Sequence, residues 1–308
     1  MALDSVARQL LDDFIASGRP NAHLLPVDQA RANFEALFAG LPPGEQVAAV
    51  REHAIAVAGG AIPARSYRPS REVVDAGIVV YFHGGGWLLG SVDSHDAICR
   101  ALANASGCVI VNVGYRCAPE HRFPTAVDDA VAATAWTHAH AAELGADPTR
   151  LAVAGDSAGG NLAAVVCQLA RDAGGPPIRF QLLIYPVTTA DLAIGFDLAY
   201  EGYFLYRDEL AWHQHHYLNG PAEAGDPRVS PLNGDATGLP AASIQSAECD
   251  PLHGQAERYR DHLVAAGVPV AYRSYAGMIH GYFGLDSVFP IADEAMRDAG
   301  TALREGVR

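Results

Sequence analysis

From residue 78 onward this chain alternates short apolar runs with longer segments of helical period, and no other pattern in it restricts the fold as much. Strand candidates fall at 78–82, 109–113, 151–155, 180–185, 243–247 and 270–275, preceded by 47–57 and 62–67. Helical segments at 96–104, 126–144, 161–173 and 255–266 occupy most of the gaps. Runs that are apolar throughout are buried on both faces, and a helix between successive strands returns the chain to the same end of the sheet. The expected class is therefore α/β, with a mostly parallel sheet and helices on both its faces.

Two segments stand outside this alternation. At the N-terminus Leu3, Val6, Leu10 and Phe14 share one helical face, and 27–38 forms a second helical segment, stopped by Gly40-Leu41-Pro42-Pro43-Gly44. After the sixth strand the chain makes a long excursion, 187–239, with a helical stretch at 208–218. An insertion of that length suits a lid over a pocket. With no internal repeat or linker, residues 1–308 are expected to form one domain, with 1–45 and about 187–225 as a helical cap.

Charge and composition exclude several classes of function. A net charge of −14, spread along the chain, argues against nucleic acid or an anionic membrane as partner. All 21 basic residues are Arg, which excludes Schiff-base lysines, lysine-containing phosphate loops and Ser-Lys dyads. No apolar run approaches the roughly 20 residues of a membrane span, and Met1-Ala2-Leu3-Asp4-Ser5 has no basic stretch leading into an apolar one; a cytoplasmic location is expected. The five cysteines (99, 108, 117, 167 and 249) are scattered and mostly within apolar patterns, as buried free thiols would be.

The strand at 151–155 runs into Gly155-Asp156-Ser157-Ala158-Gly159 and then a helix. A strand that reverses sharply into a helix lifts the serine clear of the sheet, and the helix start aims backbone N–H groups at the reaction centre. His83-Gly84-Gly85-Gly86-Trp87 comes directly after the strand 78–82. Three glycines in succession offer unobstructed N–H groups, as an oxyanion hole requires. Without Lys, and without a helix opening directly behind it, a phosphate-cradling role is disfavoured.

A serine nucleophile needs a base, and the base needs an orienting acid. His280 lies just past the last strand, in Gly277-Met278-Ile279-His280-Gly281-Tyr282, and Asp250 just past the seventh, in Glu248-Cys249-Asp250-Pro251-Leu252. Both emerge at the sheet edge that carries Ser157. The chain order Ser157, Asp250, His280 is that of the α/β-hydrolase arrangement. Asp156 is read as a brace. His253 is a poorer base than His280. His213, His215 and His216 resemble a metal cluster but lack acidic or cysteine partners at ligand spacing, so they are expected on a solvated helix with no metal site.

These motifs, with Tyr115-Arg116-Cys117-Ala118-Pro119-Glu120, Asp250-Pro251-Leu252 and His280-Gly281, closely resemble the bacterial hormone-sensitive-lipase family of esterases, in the subgroup whose elbow reads Gly-Asp-Ser-Ala-Gly. The likeness runs from about Val50 to Phe283. It implies an eight-stranded α/β-hydrolase sheet with a helical cap, and cofactor-free hydrolysis of short- to medium-chain carboxylic esters. Residue by residue it implies Ser157 as nucleophile, His280 as base and then acid, and Asp250 as its carboxylate. Ala158 with two of Gly84, Gly85 and Gly86, preferably the last two, would form the oxyanion hole. Arg116 and Glu120 would fix the loop near the oxyanion strand.

Trp87, Tyr185, Leu252, Ile279 and Tyr282, beside the motifs, are expected to line an apolar pocket. Family members continue after Asp-Pro-Leu with an Arg and an acidic pair. Here the chain reads His253-Gly254-Gln255, so an ion pair bracing that loop is not expected. The same machinery could cleave amides or formamides, and a non-catalytic small-molecule receptor on this fold is the alternative of a different class. The exposed edge of the last strand offers a surface for pairing two copies.

Overall fold

Each buried strand sends alternate side chains to two different cores, and this division sets the layers. The structure, a computed structural model, describes residues 3–71 and 73–308. Its strands are β1 (Ala49–Val57), β2 (Gly60–Arg68), β3 (Ile78–Phe82), β4 (Val109–Val113), β5 (Leu151–Asp156), β6 (Phe180–Ile184), β7 (Ala241–Ala247) and β8 (Val270–Tyr275). They form one eight-stranded sheet in the order β1-β2-β4-β3-β5-β6-β7-β8. β2 runs antiparallel to β1 and β4, and every pairing from β4 to β8 is parallel.

The helices are α1 (Ser5–Ala16), α2 (Val27–Ala39), α3 (Asp96–Ser106), α4 (Thr125–His140), α5 (Ala158–Ala173), α6 (Arg207–Tyr217), α7 (His253–Ala265) and α8 (Pro290–Gly306). Ile78, Val80 and Phe82 of β3 join the core shared with α4, α5 and α7, whereas Val79 and Tyr81 join that of α3 and α8. β5 divides in the same way, Leu151 and Val153 to one side and Ala152 and Ala154 to the other. The period-two split leaves no polar face on the central strands, which is why their sequences read as unbroken apolar runs.

Three strands, β3, β4 and β8, occupy the expected residues, and the others differ at their ends by one or two positions. α5 starts at Ala158 rather than 161, because the turn after β5 passes directly into helix with Ser157 at its N-cap. α4 ends at His140, earlier than expected, where the chain turns through 141–145 to reach β5. α8 lies outside the helical segments that the sequence pattern predicts. It buries Ala292, Ala295, Met296, Ala299 and Leu303, a helical stripe made mostly of alanine.

Phe82, Asp156, Ile184, Ala247 and Tyr275 end their parallel strands at one edge of the sheet. Loops leaving that edge carry chemistry in open α/β sheets, since every strand delivers its next residues to the same side. α1, α2 and the β6–β7 insertion with α6 contribute to one cavity above this edge. The first two residues of the expected 1–45 segment lie outside the described residues. Among the described residues no helix is long and apolar enough to cross a membrane.

Candidate active site

The turn after β5 holds Ser157 at φ 54°, ψ −116°, a conformation that L-residues rarely adopt. Three backbone bonds fix it: Ser157 N donates to Ile184 O at 2.9 Å, and Ser157 O accepts from Asn161 N at 3.0 Å and from Val187 N at 3.2 Å. The flanking glycines are required by contact. A Cβ on Gly159 would lie 1.9 Å from Phe82 O, and one on Gly155 would lie 2.4 Å from the Gly159 carbonyl carbon. The turn is thus wedged against the end of β3, and its strain is borne by the packed sheet around it.

Ser157, Asp250 and His280 meet above the strand ends. His280 Nε2 lies 2.9 Å from Ser157 Oγ, and His280 Nδ1 lies 2.7 Å from Asp250 Oδ2. The second carboxylate oxygen, Oδ1, accepts the Leu252 N–H at 2.8 Å, so Asp250 is held at both oxygens. Burial opposes a charged imidazole at His280, but the charge and hydrogen bond of Asp250 outweigh it and raise the His280 pKa above its ordinary value.

The three successive glycines are not equivalent. Gly84 N donates to Asp156 Oδ1 at 3.0 Å, so that amide is committed and is removed from the expected oxyanion donors. A Cβ at Gly84 would sit 2.2 Å from Asp156 Oδ2. The chain then turns through Gly85 at φ 110° and Gly86 at φ 62°, and neither N–H has a hydrogen-bond partner among the described residues. Ala158 N opens α5 beside Ser157. Gly85, Gly86 and Ala158 are the uncommitted donors here.

Asp156 holds this loop down as a brace. Its Oδ1 also accepts the Tyr81 hydroxyl at 2.8 Å and lies 3.3 Å from His95 Nε2. Burial would raise this carboxyl, but His95 and the Tyr81 hydrogen bond keep it below the usual range. His83 turns away from the site, stacked on Tyr115 at 4.2 Å, and burial drives its pKa down to about 3. Arg116 and Glu120 fix different things: Arg116 grips Asp129 of α4 at 2.6 Å and 2.9 Å, and Glu120 pairs with Arg31 of α2 at 2.7 Å. The Asp-Pro-Leu loop is braced by hydrogen bonds of the residues that follow it. Gln255 Oε1 accepts Thr188 N at 3.0 Å, and Gln255 O accepts the Thr188 hydroxyl at 3.1 Å.

The cavity over Ser157 measures about 940 Å³, and Trp87, Tyr185 and Leu252 line it. Ile279 and Tyr282 do not, which corrects that expectation: both are buried in the core beneath, where Tyr282 packs edge-on to Tyr185 at 5.6 Å. Their neighbours Gly281 and Phe283 reach the cavity instead. The solvated-helix expectation for α6 also fails at His213. That residue is buried, and its Nδ1 occupies the space a Cβ on Gly86 would fill, 2.2 Å from the ideal Cβ position. Burial drives the His213 pKa down to about 3 and pushes the Glu209 carboxyl, one turn earlier on the same lining, up to about 7. Sequence reasoning missed both. The available signal was the i, i+3, i+7 stripe of Leu210, His213 and Tyr217, all buried. Among the described residues no three His, Cys, Asp or Glu side chains converge as metal ligands would.

A sequence family described by the α/β-hydrolase fold matches residues 79–284. The chain is 45% identical over 256 residues to a carboxylesterase, NlhH, of Mycobacterium tuberculosis, covering 80% of this chain and 79% of that protein. It is 40% identical over 294 residues to an ethyl acetate hydrolase of Pseudomonas putida, covering 92% and 91%. Among solved structures, a hyperthermophilic esterase of the archaeon Pyrobaculum calidifontis superimposes with a TM-score of 0.91 at 37% identity, covering 100% of both chains. With the matched region spanning β3 to β8 and the serine, aspartate and histidine brought together at their ends, the chain belongs to the α/β-hydrolase-fold family and is one of its carboxylic ester hydrolases.

Proposed function

We propose that this esterase works through Ser157 as nucleophile, His280 as general base and then acid, and Asp250 as the carboxylate that orients the imidazole. The observation that carries the reading is the single imidazole spanning both partners, 2.9 Å from Ser157 Oγ and 2.7 Å from Asp250 Oδ2. Asp250 accepts a hydrogen bond from His280 Nδ1–H, which keeps the ring proton there and presents the Nε2 lone pair to the serine hydroxyl. As Oγ bonds to the ester carbonyl carbon, its proton passes to Nε2, and the carbonyl oxygen takes the negative charge. The N–H groups of Gly85, Gly86 and Ala158 stabilise that oxyanion. The C–O bond to the alcohol breaks with the proton returned from Nε2, leaving an acyl-serine. Water, deprotonated by the same nitrogen, releases the acid and restores Ser157.

The lining of the cavity by α1, α2 and α6 supports a cap formed by 1–45 and about 187–225, which excludes water from short- to medium-chain acyl groups. β8 ends the sheet, and its free edge supports pairing of two copies. Sedimentation velocity would then show a species of twice 32.4 kDa, and a monomer at micromolar concentration would remove that assignment. The five free thiols support a reducing, cytoplasmic compartment.

Ser157→Ala tests the central reading. The variant is expected to keep the wild-type circular dichroism spectrum and melting temperature while losing hydrolysis of p-nitrophenyl butyrate by a factor on the order of 10⁴ or more. Retained turnover would assign the nucleophile elsewhere. The same assay run on the matching p-nitroanilide compares ester with amide cleavage.

A further inference from the structure

The cavity over Ser157 contains a second pair of titratable side chains that the ester chemistry does not use. Glu209 and His213 stand one helical turn apart on α6, and both line the cavity. Their side chains are only 15% and 8% exposed. Glu209 Oε1 lies 4.0 Å from His213 Nε2, too far for a hydrogen bond. No hydrogen bond from a described residue reaches the Glu209 carboxyl. His213 Nδ1, pressed against Gly86, has no partner among the described residues. Because Nε2 faces the Glu209 carboxylate and Nδ1 faces Gly86, we assign the ring proton to Nε2.

Apart from Trp87 Nε1, a lone donor without a partner among the described residues, the other buried polar side chains of the lining are already committed. Gln214 Nε2 donates to Ala190 O at 2.8 Å, Gln255 Nε2 donates to Thr189 O at 3.2 Å, and Thr189 Oγ1 accepts the Asp191 N–H at 3.1 Å. Among the described residues the Glu209–His213 pair alone combines burial, an unbonded acceptor and an unbonded donor at the cavity lining. Buried polar groups in that state are costly unless a partner arrives, and here the cavity is the open side.

We propose that Glu209 and His213 form a polar recognition subsite for a hydroxyl group on the ester, making hydroxy-substituted carboxylic esters the preferred substrate class. This rests on the Ser157 reading above. The gap has the dimensions for it: one oxygen atom about 2.8 Å from each partner bridges two atoms 4.0 Å apart at roughly a right angle. That oxygen accepts the His213 Nε2–H and donates its own proton to Glu209 Oε1. An alkyl terminus leaves both groups unpaired, and an ammonium has no lone pair to accept from Nε2–H. Of these three, the hydroxyl satisfies donor and acceptor together.

The test compares matched esters by pH-stat: ethyl hexanoate with its ω-hydroxy analogue, and butyl butyrate with its ω-hydroxy analogue, so that the acyl and alcohol sides are read separately. Rates are taken per active site, counted with an organophosphate that reacts at Ser157, so misfolded protein does not enter the ratio. Wild type is expected to prefer the hydroxylated ester in at least one pair by kcat/KM. Glu209→Leu and His213→Phe are each expected to lower that preference about tenfold, and Glu209→Gln less, since an amide oxygen still accepts. A hydroxyl-to-alkyl ratio that stays within twofold of wild type in both pairs overturns the subsite while leaving the esterase reading intact. A trimethylammonium-terminated analogue preferred over the hydroxyl makes this a cation site and overturns the hydroxyl assignment. Absence of hydrolysis of every ester by wild type overturns the Ser157 reading and the subsite with it.

Discussion

At His280 two effects oppose each other, and in the proposed mechanism their balance sets the pH at which the enzyme works. Burial disfavours the imidazolium, while Asp250, Asp156 and Glu209 favour it and win. Only the neutral imidazole can take the Ser157 proton, so a raised pKa moves the acidic limb upward. In single-turnover measurements, activity is expected to fall as pH drops through a midpoint above the ordinary histidine value of about 6.5. Glu209→Gln removes one of the charges that raise His280, so its limb moves toward lower pH. A wild-type midpoint below 6, or an upward move in that variant, would count against His280 as the base. Gly86 faces a different constraint: at φ 62° any Cβ is strained, and it would meet His213 Nδ1 at 2.2 Å. Gly86→Ala is expected to displace one oxyanion donor and lower kcat by about 10²- to 10³-fold, with KM changed far less. Equal loss in kcat and gain in KM would point to a collapsed pocket instead.

Among the elements, α2 is tied to the loops after β3 and β4 by two polar side chains, Arg31 and Glu35, whose Oε2 accepts the Ser91 hydroxyl at 3.0 Å. Arg31 forks onto Glu120 at 2.7 and 2.9 Å and also donates to Leu88 O at 2.9 Å and Ala118 O at 2.6 Å. Since Glu120 is more than half exposed, its charge is worth little in water, and the two backbone carbonyls carry the anchor. Arg31→Ala is expected to raise KM several-fold and to speed proteolysis within the N-terminal segment, with kcat within about twofold. An unaltered digestion pattern would show that α2 is held by its apolar face and the Glu35–Ser91 bond without Arg31. That anchor was not legible from sequence, because nothing local links an arginine on one amphipathic helix to a loop glutamate far along the chain. The strands were legible: β3 and β4 sit in both cores and their composition reports it directly, while the edge strand β8 shows in its alternation of half-buried and exposed residues. The Ser157, Asp250 and His280 positions were legible for a related reason: parallel strands all point their C-terminal ends, and the loops that leave them, to one edge. Gly84, Ile279 and Tyr282 were not. Whether an amide is already bonded, or a ring points down rather than up, depends on φ and on neighbours that sequence adjacency does not reveal.

The whole molecule pairs an apolar cavity of about 940 Å³ with a surface of net charge −14. The volume is at the upper end of the roughly 300–1,000 Å³ range of ligand sites, and Phe34, Leu192, Phe204 and Leu205 are among the apolar groups that line it. Burying each further methylene contributes at most about 0.8 kcal/mol, close to fourfold in kcat/KM if it is realised in the transition state. Across p-nitrophenyl acetate, butyrate, hexanoate, octanoate and decanoate, kcat/KM is therefore expected to climb by up to that factor per carbon and then level or fall. The turning point is where the chain meets Glu209 and His213 or leaves the cavity for water. Those two outcomes separate on the Glu209→Leu variant. If the polar pair sets the limit, the optimum moves to longer chains; if the cavity mouth sets it, the profile keeps its maximum. A wild-type profile that decreases from acetate onward would mean that the cavity is closed to acyl chains, and that the alcohol side of the ester occupies it.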